Sequence, residues 1–242
     1  MALFSLLSAV LFLALKMGSD AWRRMDAQYD TQRSLRQAEN VLLTDLKQTS
    51  SARLNFKKIS SSPGNGDVLW FLSAQDPAAV GPNSEKFVRT TEAEPDWQRT
   101  ILYYCIRPSN HNTLAGFACG IDANPNGDAF CPHKFLIRKV INLPATPETL
   151  MAPGAVDAYT TAPAGFDINS FAGEPGLESA RIISDKFLWF EANRAAGSRL
   201  VTVDMRSFRL AEARRKISVG SNSLLNSRFT VHHQLRVLPQ NR

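Results

Sequence analysis

Cysteine is scarce in this chain of 242 residues: only Cys105, Cys119 and Cys131, with no Cys-x-x-Cys pair among them. The signatures of common enzymes are missing too. There is no Gly-x-Ser-x-Gly elbow, phosphate-binding loop, dinucleotide fingerprint or His-Glu-x-x-His. Of four histidines only His232 and His233 are neighbours, and on a strand their side chains point to opposite faces, so they cannot share one metal or substrate. His233 falls on the apolar side, as a core histidine would. The acidic residues are scattered, and no catalytic set emerges; a non-enzyme is expected. The chain also has no internal repeat, and no Gly or Pro between Ser19 and Pro63. Its net charge of +6 comes without any aromatic-basic motif. A net of about four of those charges lies between Lys16 and Lys58, interleaved with acids, which describes a solvated helix face and not a nucleic-acid surface. With 44% hydrophobic residues the chain can bury one core.

What is present begins with an uncharged apolar run, Ala2 to Leu15, passing directly into a charged, helix-patterned segment, Lys16 to Gln48. A membrane-crossing helix needs roughly 20 apolar residues, so the run is short for a complete span. It also lacks the basic start and small-x-small exit of a cleavable signal. Trp22, Met25 and Tyr29 recur at helical spacing, and Leu35, Ala38, Leu42 and Leu46 form a second apolar stripe flanked by Arg33, Arg36, Glu39, Asp45 and Lys47. The pattern predicts one helix of about 45 to 50 residues, roughly 70 Å long at 1.5 Å per residue. One continuous helix is the simplest account; the alternative is a signal-anchor followed by an ordinary helix. The expected organisation is a transmembrane part over 1–18, an amphipathic stalk over 19–54 and a globular domain over 55–242.

The run from Ala2 to Trp22, followed by Leu35-Arg36-Gln37-Ala38 and Leu43-Thr44-Asp45-Leu46, resembles the type IV pilin superfamily, and most of all the J-type minor pseudopilins of type II secretion systems. In that family a Gly-Phe-Thr-Leu-x-Glu processing motif, with a methylated aromatic, precedes an apolar helix much like this one. Here the Gly, the aromatic and the Glu are absent, and Met1 is read as a position about ten residues into the mature helix. The resemblance implies an α+β fold, a prepilin-type subunit anchored once in the bacterial inner membrane, and a C-terminal domain in the periplasm. It further implies partners that are other pilin-like subunits of a secretion or pilus-like fibre. Lys16, Arg23 and Arg24 then lie on the exported side, against the positive-inside tendency.

Beyond the stalk the periodicity becomes extended. Strands are expected at Asp67 to Ser73, Trp97 to Arg107, Lys134 to Ile141, Lys186 to Phe190, Leu200 to Arg206 and Arg228 to Val237, the last two alternating apolar and polar. Hairpin-scale spacings predict a mainly antiparallel sheet packed on the distal half of the helix. Two long loops, 108–133 and 142–180, interrupt it; the second, rich in Pro, Gly, Ala and Thr, reads as a mobile surface insertion or a partner-binding loop.

The first loop holds the only ligand chemistry. Asp122, Asn124, Asn126 and Asp128, with Gly127, fit the opening of an EF-hand-type calcium loop, since calcium prefers hard oxygen donors at alternate positions around a sharp turn. Position twelve is His133 in place of the usual Glu, and the same residues make ordinary turns. Cys119 and Cys131 bracket this loop and could pair in an oxidising compartment; Cys105, in an apolar strand, reads as a buried thiol, though its pairing with either of the others is also compatible with the sequence. A zinc set would use Cys119, Cys131 and His133, with His111 as a fourth. These spacings match no common zinc module, so zinc has little support at this level. The expected function is structural: a pseudopilin-like subunit assembling through its helix. The alternative is a signal-anchored periplasmic domain that binds calcium or an envelope partner.

Overall fold

The computed structural model describes residues 2–59, 64–76, 86–115, 131, 133–143, 149–208 and 230–241. Helix α1 (Ala2–Gln48) runs unbroken from the N-terminus, as the absence of Pro predicts, and stops before 54. Its end is sealed by the other end of the chain: the backbone N–H groups of Gln240 and Asn241 donate to the carbonyls of Lys47 and Thr49, both at 3.3 Å. These acceptors have no intrahelical donor, so the C-terminal residues act as the helix cap.

After α1 come β1 (Leu54–Lys58) and β2 (Gly64–Ser73), a small two-stranded ribbon of β3 (Gln75–Asp76) and β4 (Lys86–Phe87), and β5 (Arg99–Ile106). A short helix, α2 (His111–Ala115), precedes β6 (Lys134–Ile141), and α3 (Pro153–Val156) precedes β7 (Leu177–Arg194), β8 (Val201–Ser207) and β9 (Val231–Val237). Seven strands form one antiparallel sheet in the order β1-β2-β5-β6-β7-β8-β9, so each strand pairs with its sequence neighbour once the ribbon is set aside. The fold is therefore α+β, a long helix on an antiparallel meander. Each of the six strands expected from sequence overlaps an observed strand, though β5 is shorter at both ends than expected, β8 begins one residue later and β9 starts at Val231; β1, the ribbon and the first half of β7 were not expected.

Both faces of the sheet centre are covered, which explains why β5 is apolar throughout. Ile101, Tyr103 and Cys105 point into the core shared with α1, whereas Leu102, Tyr104 and Ile106 point into a second core on the opposite face. β7 connects the layers. Its first part pairs with β6 and its second with β8, with register shifts in both ladders, and the sheet folds over so that the N–H of Ala192 in β7 donates to Asp67 of β2 at 2.9 Å. Burial raises the Asp67 carboxyl above its usual range, an effect that this hydrogen bond opposes.

The second core corrects the expectation of a surface insertion in the 142–180 loop. Residues 149–176 lie on the sheet and bury Met151, Val156, Tyr159 and Phe171. The segment has few strand-like residues because three short helical turns and specific polar links hold it in place of a ladder. Trp70 Nε1 donates to the Met151 carbonyl at 2.8 Å, and Tyr104 Oη to that of Thr161 at 3.0 Å. Lys139, fully buried in β6, donates to Glu174 at 2.6 Å and to the Tyr159 carbonyl at 2.8 Å, with its ammonium 3.8 Å from the centre of the Phe171 ring. Burial outweighs the Glu174 attraction and lowers the Lys139 pKa to about 8.

Candidate functional site

The helix carries two apolar stripes that meet different fates. Ala27, Thr31, Leu35, Ala38, Leu42 and Leu46 recur every three or four residues and are buried, with α1 lying against β7, β8 and β9. Trp22, Met25 and Tyr29 are 71%, 60% and 65% exposed. At 3.6 residues per turn they sit roughly 150° around the helix from the buried stripe, so the protein's own sheet cannot cover them.

The docked half is fastened by a buried carboxylate. Asp45 is 6% exposed and accepts from Arg138 of β6, Nε to Oδ2 at 2.7 Å and Nη2 to Oδ1 at 3.3 Å; it also accepts from the hydroxyl of Tyr103 in β5. Burial alone would lower the Arg138 pKa, but its bonds and attraction to Asp45 raise it, keeping the guanidinium charged. The same burial, with the negative Asp45 beside it, pushes the Tyr103 hydroxyl well up, so it remains a donor. Polar links follow the helix outward: Ser34 with Ser184, Glu39 with His233 at 3.2 Å, and Asp30 with Lys186 at 3.6 Å. His233 thus faces the helix, and His232, on the opposite face of β9, pairs with Asp204 at 2.7 Å.

From Phe4 to Asp26 nothing is buried: Phe4, Leu7, Leu11, Phe12 and Leu15 are all more than half exposed. This projecting part is about 23 residues, roughly 35 Å of helix, against a hydrocarbon thickness of about 30 Å. Helix α1 is the one described helix long and apolar enough to cross a membrane, which fits single-pass anchoring. What the arrangement offers is a rigid apolar rod rooted in a folded domain, with a free ridge beginning at Trp22.

A second feature lies at the far connection. His111, at the start of α2, Cys131 and His133, just ahead of β6, bring ligand atoms all within 4.8 Å of one another. Sγ of Cys131 is 3.1 Å from Nε2 of His111, and the two imidazole rings are tilted at 53° with centres 5.4 Å apart. Three members of the zinc set considered from sequence therefore converge, although their spacing matched no module. Folding supplies what spacing could not, because the antiparallel pairing of β5 with β6 returns the chain to where it left the sheet. The fourth member, Cys119, lies outside the described residues, as do the calcium-loop residues Asp122, Asn124, Asn126 and Asp128; the Cys119–Cys131 pairing falls there too. Cys105 is a buried free thiol whose pKa burial pushes up to about 12, so it stays protonated.

Comparison with protein-family models, curated proteins and solved structures gives no match to this chain.

Proposed function

We propose that the protein is a structural, non-enzymatic subunit of a pilin-like fibre, of the J-type minor pseudopilin kind, anchored in the bacterial inner membrane with its sheet domain in the periplasm. The single observation that carries this reading is the projecting half of α1. It is unburied from Phe4 to Asp26 and uncharged as far as Leu15, while the same helix is bolted to the sheet through Asp45. A signal-anchor needs only a span and a tether. A continuous helix with a second ridge at Trp22, Met25 and Tyr29, turned away from its own domain, supplies a surface for further helices.

The mechanism is physical. Before assembly the rod sits among lipid tails, and on assembly it exchanges lipid contacts for contacts with neighbouring helices, an exchange governed by packing because lipid is as apolar as leucine. The Asp45 clamp makes the domain follow the rod as one body. The test is a photo-activatable residue at Met25 of the full chain, expressed in an envelope that builds such fibres. Cross-links to other pilin-like subunits are expected at Met25, and not at Gln37 beside the docked half. Recovery of an uncross-linked monomer would overturn the reading in favour of a signal-anchored envelope domain.

A further inference from the structure

The connection between β5 and β6 leaves the sheet at Arg107 and returns at Lys134, and His111, Cys131 and His133 meet at its root. His111 and Cys131 are 3% and 1% exposed, and His133 is half-buried, so the cluster is shielded on most sides. Two imidazoles and a thiol make a nitrogen and sulfur donor set. Such a set suits a borderline-soft ion and not calcium or magnesium, which select oxygen.

One donor pair stands near the spacing a tetrahedral ion requires, and the third donor lies within 4.8 Å of both. Zinc bonds of about 2.3 Å to sulfur and 2.0–2.1 Å to nitrogen place neighbouring donors roughly 3.3–3.6 Å apart. The Cys131–His111 separation is 3.1 Å, and no pair exceeds 4.8 Å. A plain thiol–imidazole hydrogen bond would explain the first distance. It would not require the donor atom of His133 to approach the same point, and that third approach favours an ion.

We propose that His111, Cys131 and His133 bind one Zn²⁺ that staples the root of the β5–β6 connection to the sheet, with the fourth position taken by water or one further donor. Binding forms a Zn–S bond and two Zn–N bonds; the Cys131 thiol proton goes to solvent, and both imidazoles coordinate in the neutral form. No oxidant is involved. Because one sulfur cannot both hold zinc and form a disulfide, the site requires Cys131 to be reduced. The inference is independent of the fibre reading, since the cluster is remote in sequence from α1 and shares no residue with its clamp.

The full chain, purified in mild detergent without chelator, tests it. About one zinc per chain is expected by elemental analysis, and replacement by Co²⁺ should give the visible bands of a tetrahedral ion with a thiolate charge-transfer band. Cys131→Ser should abolish the charge-transfer band, and His133→Ala should weaken zinc at least about tenfold, a loss already typical of outer-shell changes. His232→Ala, in the terminal strand β9 where His232 pairs with Asp204, should leave binding unchanged. If Cys131→Ser fails to fold, His133→Ala and a chelator-induced fall in the melting temperature of the unaltered chain carry the test. Three results would each overturn the proposal: no zinc or cobalt bound by chain with a titratable Cys131 thiol, equal losses in His133→Ala and His232→Ala, or Cys131 recovered in a disulfide by non-reducing peptide mapping.

Discussion

Tyr103 and Arg138 stand directly opposite each other across β5 and β6, and both bond the same helix carboxylate, Asp45. A cross-strand pair thereby becomes a socket for α1. Removing the carboxylate strands a buried guanidinium, which costs about 3–5 kcal/mol when one partner of a buried pair is lost. Asp45→Ala should show that loss in denaturant unfolding followed by tryptophan fluorescence. The double variant Asp45→Leu with Arg138→Met should be distinctly less destabilised, since apolar groups of similar volume often replace such a pair without loss. Equal destabilisation by the two would mean that the ion pair is not what fastens the helix.

Lys139 should give the stability a defined pH dependence. Its folded pKa of about 8 lies below the ordinary value near 10.5, so between those values the unfolded chain holds the proton that the folded chain has released. The sign is a rise in stability as pH increases through about 8 to 10, of up to roughly 3 kcal/mol. Above about pH 10 the buried Tyr103 and Tyr104, whose pKa values are raised, act in the opposite direction, because the unfolded chain then loses protons first. Unfolding free energy measured across this range should rise in the parent chain and stay flatter in Lys139→Met.

Two leucines on the same helix should behave differently. Leu42 is fully buried against the sheet, and Leu42→Ala should cost about 2–5 kcal/mol through lost transfer energy and a cavity. Leu11 is 63% exposed, so Leu11→Ala should leave the domain's thermal unfolding within experimental error. Its effect should appear instead as weaker retention in the membrane fraction.

Gly176 and Gly197 both have positive φ, +67° and +74°, but only the first is enclosed. A Cβ at Gly176 would overlap the carbonyl oxygen of Asn142, a residue whose backbone N–H donates to the Gly176 carbonyl at 2.7 Å. At Gly197 a Cβ meets nothing within 4 Å. Gly197→Ala should therefore cost only the left-handed penalty of about 1–2 kcal/mol, and Gly176→Ala clearly more. Melting temperatures of the two variants check the order.

Much of the architecture was legible because it rests on local periodicity. The 3.6-residue stripe through Leu35, Ala38, Leu42 and Leu46 identified the docked face, and period-two alternation in β8 and β9 identified strands with one face inward. The first half of β7 escaped because Leu177 to Arg181 is mostly polar and takes its strand form from pairing with β6. The 149–176 segment escaped for a related reason: its burial depends on Trp70, Tyr104 and Lys139, which lie 20 to 81 positions from the residues they bond.

Sequence by itself determined the long helix, its apolar beginning, the approximate positions of six strands and the α+β class, because backbone periodicity needs no knowledge of distant partners. Only tertiary structure decided which stripe of α1 is covered and which stays open, that Asp45 is a buried anchor and not a solvated charge, and that His111, Cys131 and His133 meet. Those outcomes depend on distances between residues separated by 20 to 194 positions, and such distances arise only when the strands pair and the helix docks.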